Sequence, residues 1–270
     1  MGKNVANILN ARPDVQKIVT LSRSRIYQKN IHHIVCDRKI KNNLSDVISS
    51  FKPNVIIDMV AFDKKDGEDI VDLYNSGVLK FLKHYIVISS FFVYNYFDYS
   101  LFKELEVDPR ELDAQNIDEY TLRKIEIESI LYSSGLMKLT SILRLPFIFS
   151  SDDYSGRFQR LCQISRSQHI EVACNGYRYS MISKQLAAEG IDYLSSSAPK
   201  GIVDFANFGC MTSAELVDFL RKSVGWYGSK VERDALETPY LVSKNICLNT
   251  RKIPLIRSLS EDLLLEANKL

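Results

Sequence analysis

Two side chains four residues apart, Tyr120 and Lys124, form the arrangement in this sequence best suited to moving a proton. A phenol beside a fixed ammonium loses its proton more readily, because the positive charge stabilises the phenolate. The pair lies in the stretch DEYTLRKIEIESILYSS, residues 118–134. There Leu122, Ile125, Ile127, Ile130 and Leu131 recur at three- and four-residue spacing, which predicts a helix. Asp118 is placed to cap its N-terminus and Gly135 to stop it. On such a helix, residues four apart share a face, one turn from each other. Taken alone the pair is ordinary. With 14 tyrosines in a lysine-rich chain it recurs by chance, as Tyr240 with Lys244.

What distinguishes Tyr120 is the sequence ahead of it. The run His84-Tyr-Ile-Val-Ile-Ser-Ser-Phe-Phe-Val-Tyr94 is apolar and ends in two serines. It predicts a buried parallel strand whose carboxyl end presents hydroxyls, at the sheet edge where open α/β folds bind ligands. A strand ending Ser-Ser-x-x-Val-Tyr, followed by Tyr-x-x-x-Lys on the next helix, resembles the extended short-chain dehydrogenase/reductase superfamily. That superfamily contains the NAD-dependent nucleotide-sugar epimerases and dehydratases. The resemblance assigns the catalytic hydroxyl to Ser90, with Ser89 as its neighbour on the strand.

Composition sets the outer bounds. A chain of 270 residues suffices for one large domain, or one with a smaller lobe. A net charge of +2 gives no electrostatic case for nucleic acid or a membrane surface. The five cysteines, at 36, 162, 174, 210 and 247, are odd in number, scattered, and contain no Cys-x-x-Cys. They predict reduced thiols in a cytoplasmic protein, with neither disulfides nor a metal site. No apolar run reaches membrane-spanning length and no signal peptide opens the chain.

In chain order, residues 2–12 read as a helix and Gln16 to Leu21 as a strand ending in Ser22-Arg23-Ser24. In a dinucleotide fold this strand end reads the adenosine ribose, and an arginine suits a 2′-phosphate, so Arg23 leans towards NADP over NAD. His32 to Cys36 is a short strand followed by Asp37-Arg38, which resembles the family's aspartate at the adenine amino group. A helix from Asn43 to Phe51 leads to the strand Val55 to Phe62, whose Ala61-Phe62 falls where the family's backbone lines the cofactor. The stretch from Asp58 also resembles a branch of epimerase-like proteins that includes the chloroplast stem-loop RNA-binding group. Lys138 to Leu145 is the next strand. Arg144-Leu-Pro-Phe-Ile-Phe-Ser resembles the family's Arg-Pro-x-x-x-x-Gly, with Ser150 in place of the glycine and with Pro146 and Phe147 near the nicotinamide. Gly156-Arg157-Phe158 opens what resembles the substrate lobe, with Arg157 the candidate for a substrate phosphate. In the stretch from Tyr177, Lys184 and Gln185 stand where the family has an acidic pair. Thr212-Ser-Ala-Glu-Leu has the pattern of a capping box.

The departure from the family is at the front. A Rossmann fold opens with a strand and a glycine loop that meets the pyrophosphate. Here Gly2 resembles the last glycine of that loop, and the first strand and first two glycines are expected before Met1. The missing strand is the central one of a 3-2-1-4-5-6 sheet, so two unpaired edges and an apolar trough are expected.

The resemblance therefore implies an α/β, Rossmann-like doubly wound parallel sheet, N-terminally truncated, over residues 1–150. Residues 151–270 then form mainly a small substrate lobe, with some segments returning to the main sheet. It implies an NAD(P)-dependent epimerase, dehydratase or reductase acting on a small hydroxylated substrate such as a nucleotide sugar, with a homodimer left open. Tyr120 is the expected general acid/base, with Lys124 and Ser90. Lys124 also holds the nicotinamide ribose, and Gly2, Arg23, Asp37, Arg38, Ala61, Phe62, Pro146 and Phe147 line the cofactor. Two other readings stand beside it: a truncated, non-catalytic homologue, and an RNA-binding protein of the chloroplast type. Near-neutral charge and the lack of a basic aromatic stripe count against the second.

Overall fold

The computed structural model of the protein describes residues 1–25, 27–40, 42–96, 118–166, 170–173, 176–197, 199–223, 230–233, 240 and 242–270. The chain divides into two compact units: Met1–Ser89, Val107–Leu143 and Ala188–Val203 form one, and Ser90–Glu106, Arg144–Ala187 and Asp204–Leu270 the other. Among the described residues no helix is long and apolar enough to cross a membrane.

The first unit alternates helices and strands: α1 (Gly2–Asn10), β1 (Val19–Ser22), β2 (His32–Val35), α2 (Asn43–Phe51), β3 (Val55–Asp58), α3 (Lys64–Asn75) and β4 (His84–Ser90). α4 (Glu119–Tyr132), a 3₁₀ turn (Gly135–Leu139) and β5 (Thr140–Leu145) follow. α6 (Lys184–Ser197), whose first turn belongs to the other unit, leads to β9 (Gly201–Asp204), the last strand of the sheet. Among the described residues the strands of this unit form two separate sheets, β1-β2 and β3-β4-β5-β9. β1 pairs β2 in parallel, and β3 pairs β4 in parallel with Val55 opposite His84 and Asp58 opposite Val87. Among the described residues no ladder joins β1 to β3.

The strand expected to reach Phe62 stops at Asp58. The sequence pattern does not announce α3, whose residues KKDGEDIVDLYN carry few apolar positions; what starts it is a capping box between Asp63 and Asp66. α3 and α4 pack closely because Gly67 lies 3.5 Å, measured from where a Cβ would stand, from the Ile127 backbone. Asp118 caps α4 as expected, its carboxylate accepting from the Thr121 N–H at 3.0 Å. The expected glycine stop is corrected. α4 ends at Ser133 in right-handed geometry, and Gly135 begins the 3₁₀ turn instead. A Cβ there would stand 3.2 Å from the Tyr74 ring, so close approach is what the glycine provides. Below the sheet, Ile70, Leu79, Tyr85, Val87, Leu131 and Ile142 are among the residues of one apolar core.

At the start of β4, buried His84 places Nε2 2.6 Å from Ser141 Oγ, which donates its own proton to the Pro199 carbonyl at 2.5 Å. The serine oxygen therefore accepts from Nε2–H, which requires that tautomer. Burial, aided by the Lys200 cation, pushes the imidazole down to about 4.

The second unit holds β6 (Phe147–Phe149), α5 (Arg157–Ser165), β7 (Ile170–Ala173), β8 (Met181–Ser183), α7 (Ser213–Ser223), β10 (Lys230–Arg233) and α8 (Leu259–Ala267). β6 pairs β8 and β7 pairs β10, both in parallel. The Thr212 capping box forms: the Glu215 N–H donates to Thr212 Oγ1 at 3.1 Å and the Thr212 N–H to the Glu215 carboxylate at 2.9 Å. α8 is fastened by Asp262, which accepts from Ser183 Oγ at 2.5 Å and Asn207 Nδ2 at 2.9 Å.

The expectation of five reduced thiols is overturned at Cys210 and Cys247, which form a disulfide with their Cα atoms 5.9 Å apart. They meet because Tyr179 pairs on one side with Met211 and on the other with Ile246, the chain neighbours of the two cysteines. Cys36 and Cys162 are buried thiols, and Cys174 lies outside the described residues.

Because that bridge spans a separation of 37 residues, Cys210→Ser will lower stability to denaturant by about 2–4 kcal/mol, measured by urea unfolding. His84 titrates at about 4 in the folded chain against 6.5 ordinarily, so between those values the unfolded chain binds more protons. Its contribution to stability is therefore present above pH 6.5 and lost as the pH falls towards 4. His84→Gln will flatten that part of a melting-temperature profile.

Candidate functional site

The site is built around Lys124, which lies inside the protein although nothing in its sequence neighbourhood is exceptional. α4 buries Thr121, Lys124, Ile125, Ile127, Glu128 and Leu131, so two charged residues share the packed side with the aliphatic ones. Lys124 is 4% exposed and Glu128 1%. The Lys124 ammonium donates to the Ala61 carbonyl at 2.7 Å and the Ile88 carbonyl at 3.0 Å. It thus clasps the loop that leaves β3 to the carboxyl end of β4. Glu128, one turn along, accepts from Ser89 Oγ and fixes the other side of the same strand end. Burial lowers the Lys124 pKa, and the carboxylates of Asp58, Glu128 and Asp66 work against that fall.

Tyr120 stands one turn before Lys124 in the first turn of α4 and is 49% exposed. Phe62 is likewise open to solvent, and the Lys124 ammonium lies 5.5 Å from the centre of its ring. A half-exposed phenol one helical turn from a cation fixed by two carbonyls is an arrangement that permits proton chemistry.

Around the ammonium lies a network of charges. Arg38 Nη1 donates to both Asp58 oxygens at 2.8 Å, and its Nε meets Asp66 Oδ1 at 2.9 Å. The Tyr85 hydroxyl donates to Asp58 Oδ2 at 2.9 Å. Lys39 adds a second cation, 2.9 Å from Asp66 and 2.7 Å from Asp63. Burial opposes the Arg38 charge, but Asp58 and Asp66 outweigh it and its pKa is raised. Arg38, expected at the cofactor, therefore has its guanidinium committed to these two carboxylates. Asp37 beside it accepts from the Lys39 N–H at 2.9 Å and is partly exposed.

Of the remaining expected residues in this unit, Gly2 opens α1, which has no side-chain N-cap. A Cβ at Gly2 would stand 3.4 Å from Met59 Sδ, so the start of α1 lies beside the exit of β3. Arg23 is exposed just past β1.

In the second unit, Ser90 is buried and its Oγ accepts from the Phe92 N–H at 3.3 Å. Phe147 sits in an aromatic cluster with Phe91, Phe92, Tyr179 and Tyr240, at ring separations of 4.9–5.5 Å. Pro146 is buried beside it. Arg157 is exposed, donates to Ser155 Oγ at 3.0 Å and lies 5.7 Å from the centre of the Tyr240 ring. Tyr240 itself is fully buried. Lys184 pairs with Asp152. Sequence reasoning missed Asp204, which accepts from the Tyr94 hydroxyl at 2.7 Å while the buried Arg144 guanidinium lies 4.8 Å from the centre of the Tyr94 ring. Among the described residues no cluster of histidines, cysteines and carboxylates is placed to hold a metal ion.

The parallel sheet and its crossover helices define a Rossmann-like α/β fold. Solved structures of that kind superimpose on nearly the whole chain. A dTDP-glucose 4,6-dehydratase from Bacillus anthracis, solved in complex with NAD, matches with a TM-score of 0.73 at 11% identity, covering 99% of this chain and 92% of its own. A UDP-glucose 4-epimerase from Thermotoga maritima, solved with UDP-glucose, gives 0.65 at 15% identity over 99% and 94%. A dTDP-4-dehydrorhamnose reductase from Yersinia enterocolitica gives 0.66 at 14% identity over 99% and 94%. At such identities the likeness establishes the fold alone. Neither a family model nor a curated protein matches the sequence.

Removing the ammonium leaves the Ala61 and Ile88 carbonyls without their donor and takes a positive charge from near Asp58, Asp66 and Glu128. Lys124→Met will therefore destabilise the chain by about 1–3 kcal/mol, measured by urea unfolding.

Proposed function

We propose that this chain is an NAD(P)-dependent epimerase, dehydratase or reductase acting on a small hydroxylated substrate such as a nucleotide sugar. The observation that carries the reading is the half-exposed Tyr120 one turn from a Lys124 ammonium fixed at the carboxyl ends of β3 and β4. Tyr120 is the general acid/base, giving a proton to or taking it from the substrate oxygen. Lys124 favours the phenolate by its charge. Ser90 hydrogen-bonds the reacting oxygen. The enzymes that share the fold and are named for work on dTDP- and UDP-sugars support this substrate class.

The residues present fit a dinucleotide in two places. The uncapped first turn of α1 offers backbone N–H donors and the positive end of a helix dipole to a pyrophosphate. The open Phe62 and the Lys124 ammonium offer a ring and a donor to the nicotinamide riboside. When bound, the nicotinamide supplies hydride transfer. Arg23 leans towards NADP, and Asp37 is the adenine-side candidate.

A second reading has an observation of its own. Lys124 already donates to two carbonyls, so it serves as a clasp for the sheet even in a chain without activity. The two readings part in a turnover assay with UDP-glucose and dTDP-glucose, each with NAD⁺ and NADP⁺. For an enzyme, Tyr120→Phe lowers turnover about 10²- to 10⁴-fold while cofactor affinity, measured by calorimetry, stays unchanged. Equal turnover in parent and variant leaves the clasp alone standing.

A further inference from the structure

The network around Arg38 reaches Lys124 through a single peptide group. Ala61 C=O accepts from the Lys124 ammonium at 2.7 Å, and Phe62 N–H, on the other side of the same peptide bond, donates to Asp66 Oδ2 at 2.8 Å. The peptide plane is thus held at both ends, by a carboxylate on its N–H and an ammonium on its oxygen. Such chains of hydrogen bonds polarise one another and strengthen together. The residues on either side are fixed as well. Asp58 Oδ1 accepts from Val60 N–H at 3.1 Å, and Asp66 Oδ2 accepts from Asp63 N–H at 3.3 Å. Both carboxylates are bridged by one guanidinium, that of Arg38.

We infer that Asp66, held by Arg38, is a positioning residue: through the Ala61–Phe62 peptide it sets the place of the Lys124 ammonium. This deepens the proposed function and rests on it, because fixing Lys124 matters to chemistry only if Tyr120 is the acid/base. Charges reach the ammonium from each element packed on it: Asp58 at the end of β3, Asp66 on α3 and Glu128 on α4. Arg38 and Lys39 hold Asp66 from the β2–α2 connection. Asp66 differs from Asp58 and Glu128 in touching the peptide that the ammonium binds. A carboxylate there contributes in two separable ways, as a charge and as an acceptor for Phe62 N–H.

Competitive acetylation of the intact chain over roughly pH 6 to 11, with exposed Lys138 as internal standard, reads both, because it yields the titration midpoint and the reactivity of Lys124 above it. Asp66→Asn removes the charge and keeps an acceptor, so the Lys124 midpoint falls and its reactivity above the midpoint holds. Asp66→Ala removes both, so the midpoint falls and reactivity rises about tenfold, as expected when one hydrogen bond to a charged group no longer restrains local opening. Equal reactivity in Asp66→Ala and the parent, or equal opening in the Asn and Ala variants, overturns the inference. Should Asp66→Ala fail to fold, Arg38→Lys takes its place. It keeps a cation but cannot bridge two carboxylates, and the same rise is expected, with no change overturning the inference. The labelling needs neither cofactor nor substrate. Normal turnover in Tyr120→Phe with an opened Lys124 in Asp66→Ala would end the proposed function and leave the positioning intact.

Discussion

An ammonium inside a protein must be paired, because desolvating a charge costs far more than most single contacts return. Lys124 meets that requirement with two backbone carbonyls and a surround of carboxylates, and much of the first unit follows from it. The exit of β3 and the end of β4 must lie side by side under the start of α4, so that Ala61 and Ile88 both face one nitrogen. The carboxylates in turn need cations of their own, which Arg38 and Lys39 bring from the connection between β2 and α2. One buried charge thereby ties four segments of chain to a common point.

The second unit solves a like problem by other means. Buried Arg144 lies against the face of Tyr94, and the Tyr94 hydroxyl donates a hydrogen bond to the Asp204 carboxylate. A delocalised guanidinium tolerates an aromatic face where a compact ammonium favours carbonyl oxygens. Burial first, and the nearby Asp204 charge with it, hold the Tyr94 phenol firmly protonated. Tyr94 is sealed from solvent, whereas Tyr120 is half open to it.

What the sequence disclosed was what is local. The α4 helix, its Asp118 cap, the Thr212 capping box and the strand ending in Ser89 and Ser90 are each written within a few consecutive residues. The partners of Lys124 are not. Arg38, Asp58 and Asp66 come from three separated segments, and nothing in composition or spacing links them. Glu128 shows the same limit, since apolar periodicity treats a carboxylate on the packed side of a helix as noise. A faint signal for α3 was present in Asp63 and Asp66, three residues apart in the manner of a capping box. The Cys210–Cys247 bridge was hidden because an odd, scattered set of cysteines gives no pairing rule, whereas the bridging of Tyr179 to both segments does.

The division of the strands into β1-β2 and β3-β4-β5-β9 bears on how the first unit comes apart. In a continuous sheet each strand's amides are guarded by neighbours on both sides, and separating any pair disturbs the next. Among the described residues the β1-β2 ribbon shares no ladder with the larger sheet, so it can part without breaking that sheet's backbone hydrogen bonds. Such a ribbon behaves as its own unit of local opening, with a free-energy scale below that of the sheet around β4. What holds the ribbon to the clasp is then side-chain charge and not backbone: Arg38 and Lys39, just beyond β2, grip the carboxylates of Asp58 and Asp66.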